Sequence, residues 1–193
     1  MGRNAHFSNE QFIDAALKIA AAQGPAAVTI AAVAGEIGAP VGSVYHRFLS
    51  RDVLMAEVWL RLAASFQDEF LSALEKGEGI EAALHTPRWV RQHSAEARIL
   101  LLYRREELVA GSWPEEMKER ALGISCRLDA GITEFAARTF GKAGREEINQ
   151  TIFAIIDLPY AAVLRYIRQG KKPPRAVEEY ITKVFNAIMR RTK

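Results

Sequence analysis

Apolar residues recur at helical spacing along nearly the whole chain. Residues three and four apart share one side of an α-helix, so such a stripe marks the buried face of an amphipathic helix. The clearest stripes are Phe12, Ala16, Ile19 and Ala20; Trp59, Ala63, Phe66 and Phe70; and Val177, Tyr180, Ile181, Val184 and Ile188. No segment shows a convincing alternation of apolar and polar residues, which a half-buried strand would need. The pattern predicts an all-α fold.

Glycine and proline clusters interrupt these stripes and predict about nine helices. Breaks fall, for example, at Gly24-Pro25, at Gly38-Ala39-Pro40, at Thr86-Pro87 and at Gly170 to Pro174. The helices before residue 52 are short, whereas 52–76 and 145–191 are long stretches with broad apolar faces. We therefore expect an N-terminal three-helix head at residues 1–51 and a larger helical body at residues 52–193. The helix that begins near Asp52 should join them rigidly, because no flexible linker separates them.

Helix start signals support several of these boundaries. Ser8 and Gln11 form a capping box, and Phe7 can pack against Phe12 across it. Thr86 before Pro87 is a further predicted cap, and Ser112 with Glu115 repeats the capping box.

Composition limits the cellular setting. A single cysteine, Cys126, excludes an internal disulfide framework and a cysteine-rich zinc site. The longest apolar candidate for a membrane span, residues 152–164, contains Asp157 and Pro159 and falls short of the ~18 apolar residues required. The N-terminus has no apolar signal segment, so we expect a cytoplasmic protein that is not integral to the membrane. Residues 1–51 carry four basic and three acidic side chains, which predicts only modest non-specific affinity for nucleic acid.

Residues 29–54 carry the most informative pattern. They are consistent with a capped helix from Thr29 to Ile37, a turn Gly38-Ala39-Pro40 and a second short helix from Val41 to Phe48. Two helices joined by a three-residue turn that contains glycine form a helix-turn-helix. In that motif the second helix enters the major groove of DNA and its first residues meet the base edges. The segment predicts a DNA-binding head.

This segment resembles the DNA-binding signature of the TetR family of bacterial transcriptional regulators. The matching residues are Thr29, Val33-Ala34, Gly38, Gly42-Ser43-Val44-Tyr45, Phe48 and Ser50-Arg51-Asp52-x-Leu54. The resemblance covers residues 8–54 in spacing and identity, and the all-helical remainder has the family's length. Two departures stand out: Pro40 takes the place of the usual serine before the second helix, and Gly35 lies inside the first.

The resemblance implies two sets of DNA-contacting residues. Phosphate contacts come from Thr29, Ser43, Tyr45, Arg47 and Arg51, and base readout comes from Val41, Gly42, Ser43 and His46. Hydroxyl, phenol and guanidinium groups are suitable donors to phosphate oxygens, while Val41 can offer only an apolar contact such as one to a thymine methyl. Simpler interpretations also exist: Thr29 as an N-cap, Tyr45 as a residue packed in the head, and Arg47 and Arg51 as solvated surface residues. Arg3 on the N-terminal arm is a further candidate for a phosphate or minor-groove contact.

A DNA reader of this type binds two half-sites as a dimer. The resemblance implies that the last two helices of each protomer, here 145–168 and 175–191, form a four-helix bundle with the partner. The predicted interface residues are Ile148, Ile152, Ile156, Val163, Ile167, Val177, Ile181, Val184 and Ile188. Packing of this apolar face onto the body of the same chain is an equally good interpretation of each residue.

Aromatic and polar residues of the body are candidates for an effector pocket. Apolar walls with a few hydrogen-bonding groups are offered by Phe66, Phe70, Trp89, His93, Tyr103, Cys126, Phe153, Asp157 and Tyr160, although most suit a core as well. Asp157 lies in an apolar run and needs an arginine partner, a dimer contact or a ligand. His93 and Glu96 have no companion ligands at suitable spacing, so we expect no metal and no cofactor.

Catalytic signatures do not occur in the sequence. It has no phosphate loop, Gly-x-Ser-x-Gly elbow, His-Glu-x-x-His helix or dinucleotide fingerprint, and its four histidines are scattered. We therefore expect a non-enzyme. The resemblance implies a homodimeric repressor that binds a palindromic double-stranded DNA operator and is released by a small-molecule effector. The alternative is a helical small-molecule-binding or interaction protein without sequence-specific DNA binding.

Overall fold

The structure, a computed structural model, describes residues 7–103 and 113–189. These residues form helices and no strand, which confirms the predicted all-α fold. Ten α-helices are present in the described ranges: α1 Asn9–Gln23, α2 Ile30–Glu36, α3 Val41–Tyr45, α4 Arg51–Glu75, α5 Gly79–Gln92, α6 Ser94–Leu102, α7 Glu115–Phe140, α8 Arg145–Ile152, α9 Leu158–Arg168 and α10 Ala176–Ile188. Arg3 of the N-terminal arm and Ser112 of the second capping box lie outside the described residues.

The start of α1 follows from its local sequence. The Ser8 hydroxyl accepts from the Gln11 backbone N–H, and the Gln11 side chain accepts from the Ser8 N–H at 2.9 Å. The rings of Phe7 and Phe12 lie 6.1 Å apart, centroid to centroid. The predicted capping box is therefore confirmed, and the ring pair closes the apolar side of the same turn.

One hydrophobic core runs from the head into the body. Phe12 of α1 and Val44 of α3 are buried with Leu54 of α4, and Ile99 of α6 and Met117 of α7 belong to the same cluster. A close-packed core transmits displacements because it has little free volume to absorb them. α6 and α7 pack against the head through this cluster. The proposed boundary at residue 51 stays a prediction, since the core crosses it.

The predicted break at Thr86-Pro87 is wrong. α5 runs through both residues, from Gly79 to Gln92. Proline weakens a helix interior because it lacks an N–H and its ring crowds the preceding turn. Here Thr86 and Pro87 are buried, and α5 packs against α4, α9 and α10. Tertiary packing on three sides maintains the helix against this local preference.

The segment between α8 and α9 is a π-helical turn, Phe153–Asp157, directly before Pro159. The Leu158 N–H donates to the Phe153 carbonyl, five residues back, so the chain stays helical from Arg145 to Arg168. By length and composition alone this stretch could cross a membrane. Ile155 and Val163 on it are fully buried in the body, and 33% of its most apolar window is buried.

Candidate nucleic-acid interface

The turn between α2 and α3 is set by Gly38. Its φ of 68° lies in the left-handed region that glycine adopts without strain. The Gly38 N–H donates to the Gly35 carbonyl at 3.3 Å, and the Ala39 N–H donates to the Ala34 carbonyl at 2.9 Å. These two bonds are those of a Schellman motif, which closes α2 and redirects the chain. The sequence thereby fixes the direction in which α3 leaves α2.

Helix α3 buries one side and exposes the other. Val44 and, just after the helix, Phe48 are buried, and the Phe48 ring meets Phe12 edge-on at 6.2 Å. On the outer side Val41 is 44% exposed and Tyr45 is 54% exposed. We call the exposed set the recognition surface: Val41, Gly42, Ser43, Tyr45 and His46, of which Ser43 alone is half-buried. The structure thus brings the four predicted base-reading residues together with Tyr45.

Two hydroxyl groups cap the helices that flank α3. The Thr29 hydroxyl accepts the Ala32 N–H at 3.0 Å, and the Ser50 hydroxyl accepts the Val53 N–H at 3.2 Å. The N-cap interpretation of Thr29 is therefore confirmed. A hydroxyl that accepts one bond can still donate its proton, so a phosphate contact from Thr29 stays a prediction. The first N–H groups of α4, beside Ser50, also favour an anion.

The two arginines that the resemblance assigned to phosphate lie in different surroundings. Arg47 is exposed, and within the part of the chain that the structure describes its guanidinium donates only to the Asn9 side chain, at 3.0 Å. Arg51 is half-buried: its Nε donates to the Val28 carbonyl at 3.1 Å and its Nη2 to the Pro25 carbonyl at 2.7 Å. The Arg51 Nη1 donates to the Asp52 carboxylate at 2.9 Å. This geometry favours a phosphate role for Arg47 and a structural role for Arg51.

We expect the replacement of Arg51 to lower the stability of the protein much more than the replacement of Arg47. Arg51→Gln leaves the Val28 and Pro25 carbonyls without their donor and should lower the free energy of unfolding by about 2 kcal/mol. Arg47→Gln should change it by less than about 0.5 kcal/mol, because exposed interactions contribute little to stability. Chemical denaturation of both variants measures the difference. Equal stability of the two would contradict the structural role of Arg51.

Leu49 is a feature of the head that sequence reasoning missed. It lies between α3 and α4, and its side chain is 85% exposed. The available signal was an apolar residue between Phe48 and Ser50 that belongs to no helical stripe. An exposed leucine beside the recognition surface adds to the apolar contact area that Val41 begins.

Four of the predicted pocket residues meet in the body. Phe66 and Phe70 of α4 lie beside Trp89 of α5 and His93 just after it, with ring centroids 5.1 Å apart for both Phe66–Trp89 and Trp89–His93. His85, which was not predicted, completes the group at 4.8 Å from Phe66. We call these five residues the aromatic cluster.

His85 is the polar member of the aromatic cluster that lacks a full set of partners. Its Nδ1 lies 3.6 Å from a Glu69 carboxylate oxygen, and its Nε2 is buried without a hydrogen bond among the described residues. Burial lowers the pKa of His85 despite the opposing effects of the Phe66 backbone and Glu69, while His93 and Arg88 lower it further. The ring is therefore neutral near pH 7. With the proton on Nδ1, beside Glu69, Nε2 is an unused acceptor.

The other predicted pocket residues do not join this group. Tyr103 packs against the core of the head, and Cys126 is exposed on α7. Phe153, Asp157 and Tyr160 are all exposed on the outer side of the segment from the π turn to α9. The expectation of one pocket from all nine residues is wrong, because spacing along a helix does not indicate which neighbouring helix covers which side.

His93 Nδ1 lies 3.9 Å from Glu96, and the described ranges contain no group of three or more potential ligands around a common point.

Most of the predicted dimer residues are internal. Val163 and Ile167 are buried against Trp89 and Val90 of α5. Val177 and Ile181 are buried in a second cluster of the body. Ile148, Ile152, Ile156 and Ile188 pack partly buried against that second cluster. Of the nine predicted residues, Val184 alone is exposed. The other eight pack wholly or partly against the chain's own core, and their place in a dimer interface stays a prediction.

The same helices expose a different apolar face. Phe153, Tyr160, Tyr180 and Val184 are the exposed large apolar side chains of the C-terminal helices in the described ranges, and we call them the exposed apolar face. Phe153 and Tyr160 are seven residues apart, and Tyr180 and Val184 are four apart, so each pair lies on one side of its helix. Asp157 lies between the first pair and has no ion-pair partner within the described protomer. The internal ion pair considered for Asp157 is therefore not seen between residues of the described ranges.

These features define a class: a helix-turn-helix DNA reader on an α-helical body. Residues 12–58 match the family model described as bacterial regulatory proteins, tetR family. Residues 12–58 therefore form a DNA-binding region of the tetR family type, and the chain is a DNA-binding transcriptional regulator. No curated protein sequence is similar enough to be matched.

Solved structures support the fold over the whole length of the chain. A transcriptional regulator from Rhodococcus sp. Rha1 has a TM-score of 0.71 at 18% identity, covering 95% of this chain and 96% of its own. The fatty acid degradation regulator FadR from Bacillus halodurans has a TM-score of 0.70 at 14% identity, covering 99% of both chains. FadR from Bacillus subtilis in complex with stearoyl-CoA has a TM-score of 0.69 at 12% identity, covering 94% of this chain and 98% of its own. Both the family and these neighbours are transcription regulators rather than enzymes.

Proposed function

We propose that the chain is a homodimeric repressor that binds a palindromic operator and leaves it when a small-molecule effector binds the body. The observation that carries the proposal is the recognition surface on α3, which stands free of the core and presents a phenol, an imidazole and apolar groups. Arg47 and the start of α4 supply phosphate donors beside it. Phosphate contacts orient such a helix on the duplex, and contacts to base edges select the sequence. We place this function in the cytoplasm.

Val41 and Tyr45 make the recognition surface partly apolar, and Leu49 is a further exposed apolar residue just after it in the chain. Apolar groups in the major groove meet thymine methyl groups, so the preferred half-site should contain thymine at the positions that face Val41. The head's small net charge limits non-specific affinity, and specificity then depends on the simultaneous docking of two heads.

Selection of binding sites from a random duplex pool, at two salt concentrations, tests this function. We expect an enriched palindrome whose affinity falls as salt rises, because Arg47 and its neighbours release counterions from the backbone. A folded dimer that enriches no sequence would instead favour the ligand-binding or interaction protein without sequence-specific DNA binding.

The exposed apolar face is the proposed dimer interface. The B. subtilis FadR neighbour and this chain share the fold, and regulators of the family act as dimers. The segment from the π turn to α10 carries four exposed large apolar side chains, and such side chains mark protein contacts when they lie together. Asp157 would lie within or beside this interface.

The aromatic cluster is the proposed effector region. It combines four aromatic or imidazole neighbours with one buried acceptor, His85 Nε2, that lacks a partner in the described structure. Buried polar atoms in native proteins are nearly always paired, so an unpaired one marks a position where a ligand or water is expected. The cluster lies on α4 and α5, and α4 leads to the head. Ligand binding there can alter the head only if ligand and DNA prefer different positions of α4.

His85→Leu tests the unpaired state of His85. Removing an unsatisfied buried nitrogen should leave the free energy of unfolding unchanged at pH 7 or raise it by up to about 1 kcal/mol. The wild type should also lose stability as the pH falls below 6.5, because its lowered pKa means that the unfolded chain binds the proton first. The variant should lose less over that range. Denaturant titrations at pH 7.5 and 5.5 measure both effects.

A matched variant, His46→Leu, should keep the wild-type pH dependence, because His46 is exposed on the recognition surface. A loss of more than about 2 kcal/mol in His85→Leu at pH 7 would show that Nε2 is already satisfied in the folded protein.

A further inference from the structure

A cleft lies between the head and the body. It has a volume of about 200 Å³ and is lined by Ala21 of α1, by Ser94, Ala95 and Arg98 of α6, and by Gly170 and Lys171 after α9, among others. It therefore touches both the head and the body. A space of this size suits a small ion or a single acidic group rather than the large apolar molecules that a ligand pocket usually encloses.

The charge of the cleft is entirely positive. Among the described residues, the eight that line it include Arg98 and Lys171 and no aspartate or glutamate. Neither cation has an ion-pair or hydrogen-bond partner for its side chain in the described structure. Elsewhere the described arginines are often paired, as Arg61 is with Asp14 at 2.6 Å and Arg120 with Glu57 at 2.6 Å. Two cations that face one cleft without a counter-charge favour an anion there.

The turn after α9 places Lys171 near Arg98. Gly170, with φ 65°, closes α9 in a Schellman motif: its N–H donates to the Ile167 carbonyl at 3.0 Å, and the Lys171 N–H donates to the Tyr166 carbonyl at 2.9 Å. A Cβ at position 170 would lie 4.0 Å from an Arg98 guanidinium nitrogen, so the Arg98 head group reaches this turn from α6. The turn therefore brings Lys171 to the side of the cleft that Arg98 already occupies.

The backbone also contributes at the other wall. α6 begins at Ser94 without a side-chain cap, and Ser94 and Ala95 line the cleft. Uncapped first-turn N–H groups add to the preference for negative charge that the two side chains create. The nearby acid, Glu96, is turned to His93 at 3.9 Å and does not line the cleft.

We propose that this cleft binds a small oxyanion, a phosphate or carboxylate group, between Arg98 and Lys171. Planar guanidinium and ammonium groups are the two side-chain donors best suited to such groups. The bound anion contacts α6 and the turn after α9 while lying against Ala21 of α1. It therefore ties the head to the body at a point distinct from the aromatic cluster.

The test is a calorimetric titration of the full chain, without DNA, with inorganic phosphate and separately with acetate at constant ionic strength. We expect saturable binding of at least one, with a dissociation constant on the order of 1 mM, since two exposed cations give modest affinity. Tighter binding of phosphate assigns the site to a phosphate group, and tighter binding of acetate to a carboxylate. Chloride at the same ionic strength should not compete.

Three variants decide the location. Arg98→Gln and Lys171→Gln should each weaken binding by about tenfold or more, because each removes a charged donor. Lys172→Gln removes the same charge from the next residue, which is exposed and does not line the cleft, and should change binding by less than about twofold. All three positions are exposed, so folding should be retained. Equal losses in Lys171→Gln and Lys172→Gln, or no saturable binding of either anion, would overturn the proposal.

Discussion

Val184→Glu is expected to convert the protein from a dimer to a monomer and to reduce its affinity for a palindromic operator by about 100-fold or more. Val184 belongs to the exposed apolar face with Phe153, Tyr160 and Tyr180. If two copies meet through this face, a carboxylate at position 184 is buried without a counter-ion, which costs several kcal/mol per interface. The two heads then bind half-sites independently and lose the advantage of linkage.

Sedimentation equilibrium gives the mass of the variant, and titration of the selected duplex gives its affinity. Asn186→Glu is the matched control, since it adds the same charge to α10 at an exposed position about 200° around the helix from Val184. The control should stay dimeric and bind normally. A dimeric Val184→Glu protein would show that the interface lies elsewhere. A monomeric protein with full operator affinity would instead refute the need for paired heads.

The head illustrates what a single sequence predicts well. Its elements are defined by local signals: the Ser8–Gln11 box, the Thr29 cap, the glycine at position 38 and the Ser50 cap. Each signal acts through bonds to residues within five positions, so the sequence contains both partners. The exposed and buried sides of α3 follow from the same short segment, because Val44 and Phe48 are the apolar residues at helical spacing.

In the body, the sequence does not predict which helices pack against each other. The apolar stripes of α9 and α10 were correctly assigned to helices, yet Val163 and Val177 face the chain's own α5 and second core cluster. A stripe indicates that a face is covered and does not identify the covering helix. Arg51 is a similar case, since the carbonyls of Pro25 and Val28 that accept its bonds lie more than twenty residues earlier. His85 was missed because its significance comes from a missing partner, which only packing reveals.

The helix continues past Pro87 and past Pro159 for different reasons. At Pro87 the local rule predicts a break, but three packed helices maintain α5 across it. At Pro159 the missing N–H coincides with a π turn, in which the preceding residue, Leu158, donates five residues back. In the first case the surrounding core opposes the local preference, and in the second the backbone adapts to it. The distinction depends on contacts that lie outside the local sequence.

Removing the phenol of Tyr45 should weaken operator binding while leaving the dimer and the fold intact. Tyr45 is 54% exposed, so Tyr45→Ala removes a side chain that lies mostly in solvent and creates no buried cavity. A hydrogen bond to a charged group is worth about 1.5–3 kcal/mol, and a dimer makes the contact twice, so we expect a loss of about 100-fold or more. Tyr45→Phe retains the ring and should show most of this loss if the hydroxyl donates to phosphate.

Salt dependence separates the contribution of Tyr45 from that of Arg47. The phenol is neutral, so Tyr45→Phe should lower affinity equally at low and high salt and leave the slope of log affinity against log salt unchanged. Arg47→Gln removes one cation from each head and should reduce that slope by about 2 per dimer. Binding titrations at four salt concentrations give both values. Unchanged affinity of Tyr45→Ala at physiological salt would refute the phosphate role of Tyr45. The phenol itself carries no charge, so an altered salt slope in Tyr45→Phe would indicate that this variant has displaced Arg47.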